Sequence, residues 1–326
     1  MNYHDCKLFV GCVSKNVIDA TVECADKNNI ILGLIPSRRQ VDYCGGYVGL
    51  TSYELKNHVK SKNIILERDH GGPEQGQEHD NGITSLQSDC SCYDMIHIDP
   101  WKIATDFKDG CELTKEYIET CYEKNANIKY EIGTEESIFP YSNEDLRNLI
   151  EHLRESLPEK TFDNIVFAVI QSGTSLKENN NTGNYDKSRL ISMIEVCNEY
   201  NLLSKEHNGD YLPTEVVYQK LDLGLDAINI APEFGQMETQ IYLNEIKNKE
   251  LFDIFFNICY NSKRWVKWVD KSFDPTKEKE KLINICGHYV LSDTKFLELI
   301  KSNVRKDIDM VIKNKLINRI KELCRI

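Results

Sequence analysis

Eight short apolar runs, each closed by polar or turn residues, constrain the fold of this chain more than any other feature. They are rich in β-branched residues and bounded by Gly, Pro, Asn or Asp, a pattern that predicts buried strands. Helical patterns separate them, so that strands and helices alternate at a spacing of roughly 30 residues. Eight such units predict an α/β fold, the (β/α)8 TIM barrel, whose sites lie at the C-terminal strand ends. The runs begin at Lys7, Ile30, Ile64, Met95, Ile128, Asn164, Leu202 and Ala227.

The last quarter of the chain departs from this alternation. Residues after Gly235 carry mainly helical patterns and end in a basic amphipathic segment. We therefore predict a barrel over residues 1–240 and a helical C-terminal extension, residues 241–326, that packs on it. The hydrophilic stretch Lys177–Asn184, which lies between two helical or strand patterns, is predicted to be a loop.

Charge and apolar content exclude several classes of protein. The net charge of -12 argues against a general nucleic-acid surface, because phosphate binding needs an excess of Lys and Arg. No apolar run approaches the roughly 18 residues of a membrane helix, and the N-terminus lacks the pattern of a signal peptide. A cytoplasmic location is expected. The twelve cysteines include no C-x-x-C pair, which favours buried structural thiols over a metal cluster.

The third apolar run ends in a chemically suggestive pair. Asp69 and His70 follow Ile64–Arg68, and two glycines and a proline follow them. At a strand end, His can ligate a divalent metal while Asp moves a proton beside it. Taken alone, the pair is equally compatible with an imidazole that closes a loop and a carboxylate that caps a helix.

Other strand ends repeat this chemistry, which favours a functional site. His and carboxylate side chains that converge in a barrel mouth suit a divalent metal with acid/base partners. Packed polar caps and solvated loops are the alternative explanation. The further strand-end residues are His97, Asp99, Glu131, Glu135, Gln171, His207, Asp210 and Glu233.

Several of these segments also resemble a known family. The segment Ser37–Thr51 is similar to the signature of the class II D-tagatose-bisphosphate aldolase accessory family, the so-called non-catalytic subunit. The family is related to class II ketose-bisphosphate aldolases, which are zinc-dependent barrels. The matching segments appear in family order as Gln40-Val41, Gly45-Gly46-Tyr47, Asp69-His70, Gly72-Pro73, Ile96–Asp99, Ile132–Glu135, Gln171-Ser172-Gly173 and Glu206–Tyr211.

The resemblance implies roles for individual residues. Asp69 would be the acid/base, and His70 and His207 would hold the metal. Gln171 stands where a class II aldolase has a further zinc histidine, and Glu131 is the residue expected to fill that place. The metal is expected to be Zn²⁺, with Mn²⁺ or Mg²⁺ as alternatives because a carboxylate ligand suits harder ions. Two more strand-end carboxylates, Glu135 and Asp99, are catalytic candidates.

Substrate binding is assigned to small or polar residues at the strand ends. Glycines and hydroxyl groups there can donate hydrogen bonds to the oxygens of a phosphate or a sugar. Those expected to bind phosphate or hydroxyl groups are Gly45, Gly46, Ser172, Gly173 and Thr174, and the remaining candidates are Gln40, Tyr47, Gln171, Asp210 and Asn229.

Two functions of different kinds remain open. The first is a metal-assisted enzyme that acts on a sugar phosphate in an aldol or epimerisation step. The second is a barrel without chemistry of its own that stabilises a catalytic aldolase subunit. The substrate is a small molecule in the first case, and a homo-oligomer or a partner aldolase subunit is compatible with either. A kinase is disfavoured because the chain has no G-x-x-x-x-G-K-[ST] loop.

Overall fold

The chain folds into a closed barrel of eight parallel strands. The computed structural model describes residues 2–178 and 180–326. The strands follow one another around the barrel in sequence order, and the first pairs with the eighth through Phe9 and Asn229. This closure confirms the predicted (β/α)8 architecture. The barrel strands are Leu8–Val10, Leu32–Leu34, Ile64–Gly71, Met95–Ile98, Lys129–Ile132, Ile165–Ile170, Leu203–Glu206 and Ala227–Ile230.

Helices surround the barrel, and several begin at polar caps that the sequence supplies. Thr51 and Ser142 each form a reciprocal capping box with an acid three residues later, which satisfies backbone N–H groups at the helix start. The helices of the ring are Lys15–Asn28, Ser52–His58, Ile83–Cys92, Phe107–Lys124, Asn143–Ser156, Glu159–Phe162, Lys187–Glu199, Thr214–Asp222 and Pro232–Glu245.

The core has two layers because side chains alternate between the two faces of each strand. One layer lies between the strands and the helices. The other fills the barrel interior, where each fully buried apolar side chain contributes about 1.5–3 kcal/mol. Its buried residues are Cys6, Phe9, Ile35, Ile65, Met95, Phe167, Leu203 and Ala227.

A buried ion triad lies in the barrel interior on the side of the mouth. The ammonium of Lys205, on the seventh barrel strand, lies 2.6 Å from Glu67 Oε2 and 2.7 Å from Glu131 Oε2. It also lies 3.9 Å from the centre of the Phe9 ring. Lys205 and Glu67 are completely buried. The triad therefore links three strands and places Glu131 beneath the candidate site.

A second buried cation, Arg68, orders the loop that follows the second strand. Its guanidinium forms a two-point ion pair with Asp89 at 2.8 and 2.9 Å. It also donates to the carbonyls of Pro36 and Val41, both at 2.7 Å. These bonds fix the two ends of a segment that runs from Ser37 past Gln40 toward the barrel mouth.

The C-terminal extension covers the seam at which the barrel closes. Its last helix, Ile308–Leu323, packs on the helix Lys15–Asn28 and carries Arg319, whose Nε lies 2.7 Å from Glu233. The helix Pro232–Glu245 runs across the boundary expected at residue 240, and that boundary stays a prediction. The extension's helices are Lys249–Ser262, Lys279–Cys286, Thr294–Leu299 and Ile308–Leu323, with single-turn helices at Val266–Trp268, Gly287–Val290 and Lys301–Asn303.

One element differs from its prediction. The stretch Lys177–Asn184, expected to be a plain loop, contributes to a short antiparallel hairpin of Leu176–Lys177 and Asn180–Asn181. Asn181 of this hairpin is half-buried and donates from its amide to the carbonyls of Asn208 and Asp210 at 2.9 and 3.2 Å. All twelve cysteines are free thiols, with only Cys44 exposed and Cys324 half-buried. Within residues 2–178 and 180–326, no helix has the length and apolar character needed to cross a membrane.

Candidate active site

A bulge at the end of the third strand turns Asp69 and His70 into the barrel mouth. The pairing register with the fourth strand shifts between Arg68 and Gly71. His70 has φ of 47°, a left-handed conformation that a residue with a side chain seldom adopts and that costs about 1–3 kcal/mol. Such bulges re-aim side chains beside active sites. Gly72 allows the chain to pass close to the backbone at Asp99, just after the fourth strand, because a Cβ there would lie 2.9 Å from the carbonyl oxygen of Asp99.

A hydrogen bond to Asp99 fixes the orientation of the His70 ring. Nδ1 of His70 lies 2.5 Å from Asp99 Oδ2, and Nε2 is left facing the mouth, 3.8 Å from Asp69 Oδ1. Burial lowers the pKa of His70, but the charges of Asp69, Asp99 and Glu135 outweigh it and raise that pKa to about 10. This environment stabilises positive charge at Nε2. The carboxylate behind the ring is the partner that metal-binding histidines usually have.

Three imidazoles meet at the mouth. The ring centres of His70 and His207 lie 5.3 Å apart, and those of His97 and His207 lie 5.0 Å apart. The structure therefore brings together the two histidines that the resemblance assigns to the metal. Nδ1 of His97 accepts the His70 backbone N–H at 3.3 Å, while its Nε2 donates to the Gly133 carbonyl at 2.9 Å. Both nitrogens of His97 thus have protein partners, and the ring acts as a wall of the site.

The fifth strand supplies the carboxylates on the opposite side of the mouth. Glu135 accepts hydrogen bonds from Ser137 at 2.8 Å and Asn208 at 2.5 Å. Burial raises the pKa of Glu135, but His70 and His207 outweigh it and hold that pKa below its usual value. Glu131 Oε1 lies 3.2 Å from His207 Nε2, while its other oxygen faces the buried ammonium described above.

The arrangement fits a divalent metal. Among the described residues, two groups that include His207 have ligand atoms within 4.8 Å of one another. One joins His70 and Glu135, and the other joins His97 and Glu131. Of the three predicted ligands, His70 belongs to the first group, Glu131 to the second and His207 to both. Two histidines and a carboxylate form a common catalytic zinc set.

Asp69 has the environment of a free acid/base. Its backbone pairs with Pro36, but Oδ1 is buried and has no hydrogen-bond partner among the described residues. Leaving a buried acceptor unpaired costs about 1–3 kcal/mol, a cost that a ligand can relieve. Asn229, on the eighth strand, is also buried, and neither atom of its amide has a partner within the described ranges.

A cavity of about 260 Å³ opens above these residues. Of the sequence-predicted residues, it brings together Asp69, His70, Glu135, Gln40 and Tyr47. Its other lining side chains come from the loops, from the turn after the fourth strand and from the C-terminal extension, and include Arg39, Gln75, Lys102, Asn208, Lys267, Trp268 and Tyr289.

The remaining predicted substrate residues lie elsewhere. Gly45 and Gly46 belong to the loop behind Tyr47, and Gly173 and Thr174 line a separate depression. Ser172 donates to Glu206 and lies 3.0 Å from the ammonium of Lys220, inside a buried cluster. Asp210 accepts the backbone N–H groups of Ala231 and Glu233 at 3.0 and 2.8 Å, which fixes the start of the next helix. Burial raises the pKa of Asp210 to about 8.

Gln171 has structural partners on every side. Its amide nitrogen donates to the carbonyls of Thr134 and Phe139, both at 2.9 Å. Its oxygen accepts from the Tyr141 N–H at 3.0 Å and from Arg189 at 3.1 Å. These bonds use the full hydrogen-bonding capacity of the amide. In this arrangement Gln171 holds the segment after the fifth strand, and its role in substrate binding stays a prediction.

Several residues that reach the site have no role in the predictions from sequence. His97 belongs to the predicted strand-end residues, because it alternates with Asp99 along the fourth strand, but it has no role of its own there. Asn208 follows His207 and holds Glu135, and nothing in its spacing indicates this. The cations Arg39, Lys102 and Lys267 are far apart in the sequence, and only the folded chain brings them into one cavity.

The polar segment after the third strand is predicted to order further when ligand binds. It runs from Gly72 to the helix that begins at Ile83, and Gln75 within it lines the cavity and donates to Asp99 Oδ2 at 3.0 Å. Contact with a ligand at Gln75 would add bonds to this segment, as in lids that close over substrates. Hydrogen exchange with and without ligand should show increased protection over residues 74–82. Unchanged exchange there, with binding verified, would contradict a lid.

Together, the fold and the site define a (β/α)8 barrel with a histidine and carboxylate centre at the C-terminal strand ends. Solved structures with this fold include a probable tagatose 6 phosphate kinase from Sinorhizobium meliloti 1021, with a TM-score of 0.73 and 16% identity over 98% of this chain and 92% of that chain. The YdjI aldolase from Escherichia coli K12 matches with a TM-score of 0.60 and 11% identity, over 98% and 91% of the two chains.

A fructose-bisphosphate aldolase from Campylobacter jejuni matches with a TM-score of 0.57 and 13% identity, over 99% of this chain and 91% of that chain. No family model matches the chain. At these identities the comparisons establish the fold. The resemblance to aldolase-related barrels that the sequence indicates is confirmed at that level.

Proposed function

We propose that this chain is a metal-dependent enzyme of the aldolase type that acts on a sugar phosphate. The observation that carries the proposal is the buried Oδ1 of Asp69, which has no hydrogen-bond partner among the described residues and lies 3.8 Å from His70 Nε2. Both residues line the cavity, and the His207 ring lies 5.3 Å from that of His70. Cleavage of a carbon–carbon bond beside a carbonyl is assisted by an acid/base that moves a proton and by a metal that polarises the carbonyl oxygen. Asp69 suits the first role, and a metal held by the two histidines would supply the second. The aldolases with the same fold, named above, support this choice.

The residues that would hold the metal are His70 and His207, with a carboxylate from the fifth strand. Glu131 is the carboxylate expected from the sequence, and Glu135 is the one whose ligand atom groups with both histidines. We infer Zn²⁺ from the His₂-carboxylate donor set, with Mn²⁺ or Mg²⁺ as alternatives. When bound, the metal would supply a Lewis acid that polarises a substrate carbonyl.

The chain's own groups would move the protons. Asp69 would take a proton from, or return it to, the substrate carbon or hydroxyl, since its Oδ1 has no competing donor. Asp99 would keep His70 oriented through the 2.5 Å bond to Nδ1. Glu135, held by Ser137 and Asn208, would be the second carboxylate within reach of substrate hydroxyls. Asn229 would donate to a ligand oxygen from the eighth strand.

Metal binding tests this proposal. We expect the wild-type chain to bind about one Zn²⁺, Mn²⁺ or Mg²⁺ by calorimetry, and His70→Ala with His207→Ala to lose that binding because two of three ligands are removed. The matched control is His4→Ala with His58→Ala, since both residues are exposed and neither lines the cavity. A wild-type chain that binds none of these ions would contradict the metal enzyme.

The second candidate is a non-catalytic subunit that stabilises a catalytic aldolase. The observation that favours it is the structural use of Gln171, whose amide is fully occupied by the segment after the fifth strand. A chain that binds no metal and turns over no ketose phosphate, but raises the thermal stability of a class II aldolase when mixed with it, would support this second function over the first.

A further inference from the structure

Three cations from separate elements line the same side of the cavity above the candidate metal site. Arg39 comes from the loop after the second strand, Lys102 from the turn after the fourth, and Lys267 from the single-turn helix Val266–Trp268 of the C-terminal extension. They are distant in sequence, so only the folded chain brings them together. Their convergence in a chain of net charge -12 is the starting observation.

None of the three has a carboxylate partner among the residues that the structure describes. Arg39 donates from Nε to the Gly76 carbonyl at 3.2 Å, which leaves its outer nitrogens free. Lys102 contacts the side-chain oxygen of Gln75 and the Glu74 carbonyl, both neutral acceptors. Lys267 lies 4.3 Å from the centre of the Trp268 ring. Unpaired like charges that share one cavity repel each other, and a bound anion would remove that cost.

The carboxylates of the same cavity form their hydrogen bonds and close contacts with other groups. Glu135 is held by Ser137 and Asn208, and Asp69 faces His70 and His97 at 3.8 and 4.0 Å. These carboxylates raise the pKa of Lys102 and Lys267 but do not outweigh the causes that lower it. The cavity therefore combines the histidines and carboxylates of the strand ends with three cations that have no carboxylate in contact.

The electrostatics of Lys267 agree with this picture. Lys267 is an exposed residue whose side chain lines the cavity. Partial loss of hydration and the charges of Arg39 and Lys102 lower the pKa of its ammonium to about 8, against the opposite effect of Glu135. Lys102 is also exposed, and partial loss of hydration together with the charge of Arg39 lowers its pKa. An anion between these groups would reverse the shift.

We propose that Arg39, Lys102 and Lys267 form the binding site for the phosphate group of the substrate, so that the C-terminal extension contributes directly to the active site. A phosphate monoester offers three acceptor oxygens and up to two negative charges. The planar guanidinium of Arg39 suits two-point contact with it, while the lysines act as point charges. This site consists of other residues than the glycines and hydroxyl groups expected from the sequence to bind phosphate. That the phosphate is attached to a sugar rests on the proposed function.

Inorganic phosphate is the probe that tests the site apart from catalysis. We expect the metal-free chain to bind one phosphate saturably in a calorimetric titration at low salt. Lys267→Ala should weaken that binding roughly 10- to 100-fold, because it removes a charge-assisted contact. Lys271→Ala is the matched control: this exposed lysine lies outside the cavity lining, and its loss should change binding less than about 2-fold.

Three ligands complete the test: inorganic phosphate, a ketose with a terminal phosphate, and the same ketose without it. We expect the phosphorylated ketose to bind most tightly and the free ketose most weakly, with Lys267→Ala removing most of that difference. Equal phosphate binding by wild type and Lys267→Ala, or non-saturable binding by wild type, would overturn the proposal. These measurements use the metal-free chain, so they do not depend on metal binding by His70 and His207. The phosphate site can therefore be confirmed or refuted whether or not the proposed enzyme activity is found.

Discussion

Asp69→Asn should lower turnover by about 10²- to 10⁴-fold, the contribution that a positioned acid or base typically makes. The substitution keeps the shape of the side chain and replaces one oxygen by nitrogen, so that the group can no longer accept a proton at that atom. Under the proposed function, the measurement is kcat of the chain supplied with divalent metal, on the ketose phosphate that gives the highest turnover in a screen. KM and metal affinity should change much less than kcat, since His70 and His207 remain in place.

Asp163→Asn is the control for this experiment. Asp163 is an exposed residue after the helix Glu159–Phe162, and the same chemical change there should leave kcat unaltered. Thermal unfolding of both variants should match wild type. Turnover by Asp69→Asn at the wild-type rate would remove Asp69 from the mechanism.

Lys205→Met should destabilise the chain by about 3–5 kcal/mol, because removing one partner of a buried ion pair leaves uncompensated charge. The ammonium of Lys205 contacts both Glu67 and Glu131 in the barrel interior, where burial and the neighbouring Glu131 raise the pKa of Glu67. Without the ammonium, the charge of Glu131 loses its buried cation partner in a site that water does not reach. Urea unfolding at neutral pH measures the loss.

Two further variants interpret that loss. Lys62→Met changes an exposed lysine and should alter the free energy of unfolding by no more than about 0.5 kcal/mol. Lys205→Met combined with Glu67→Gln removes one of the two carboxylate charges and should recover part of the stability. A loss below about 1 kcal/mol for Lys205→Met alone would mean that the triad carries little of the barrel's stability.

Sequence patterns were sufficient for the barrel because each strand carries its own local signal. The apolar run, its polar end and the following helix lie within one repeating unit, and the order of eight such units sets the topology. The same logic placed Asp69, His70 and His207 at one mouth. Alternation along a strand does not account for the orientation of Asp69 and His70, because consecutive residues point to opposite faces and it is the bulge between Arg68 and Gly71 that turns both into the mouth.

Contacts between distant units could not be predicted in this way. Lys205 and Glu67 are 138 positions apart, and only barrel closure brings them within 2.6 Å. The sequence predicts substrate binding by Gln171 and gives no sign of its bonds to Thr134 and Phe139, because those carbonyls follow a different strand. Lys267 lies in a single-turn helix, where no periodicity distinguishes a cavity-facing lysine from a solvated one.

The seam covered by the helix Ile308–Leu323 has a consequence for synthesis. A chain emerging from the ribosome presents all eight strands once residue 230 has been exported. At that point the helix Lys15–Asn28 still lacks the helix that packs on it, Ile308–Leu323, whose buried side chains include Ile312 and Leu316. A contact between segments that are nearly 300 residues apart is made late and slowly. The nascent barrel must therefore keep an uncovered apolar strip on its outside until the helix Ile308–Leu323 has been exported, and chaperone binding would be concentrated there.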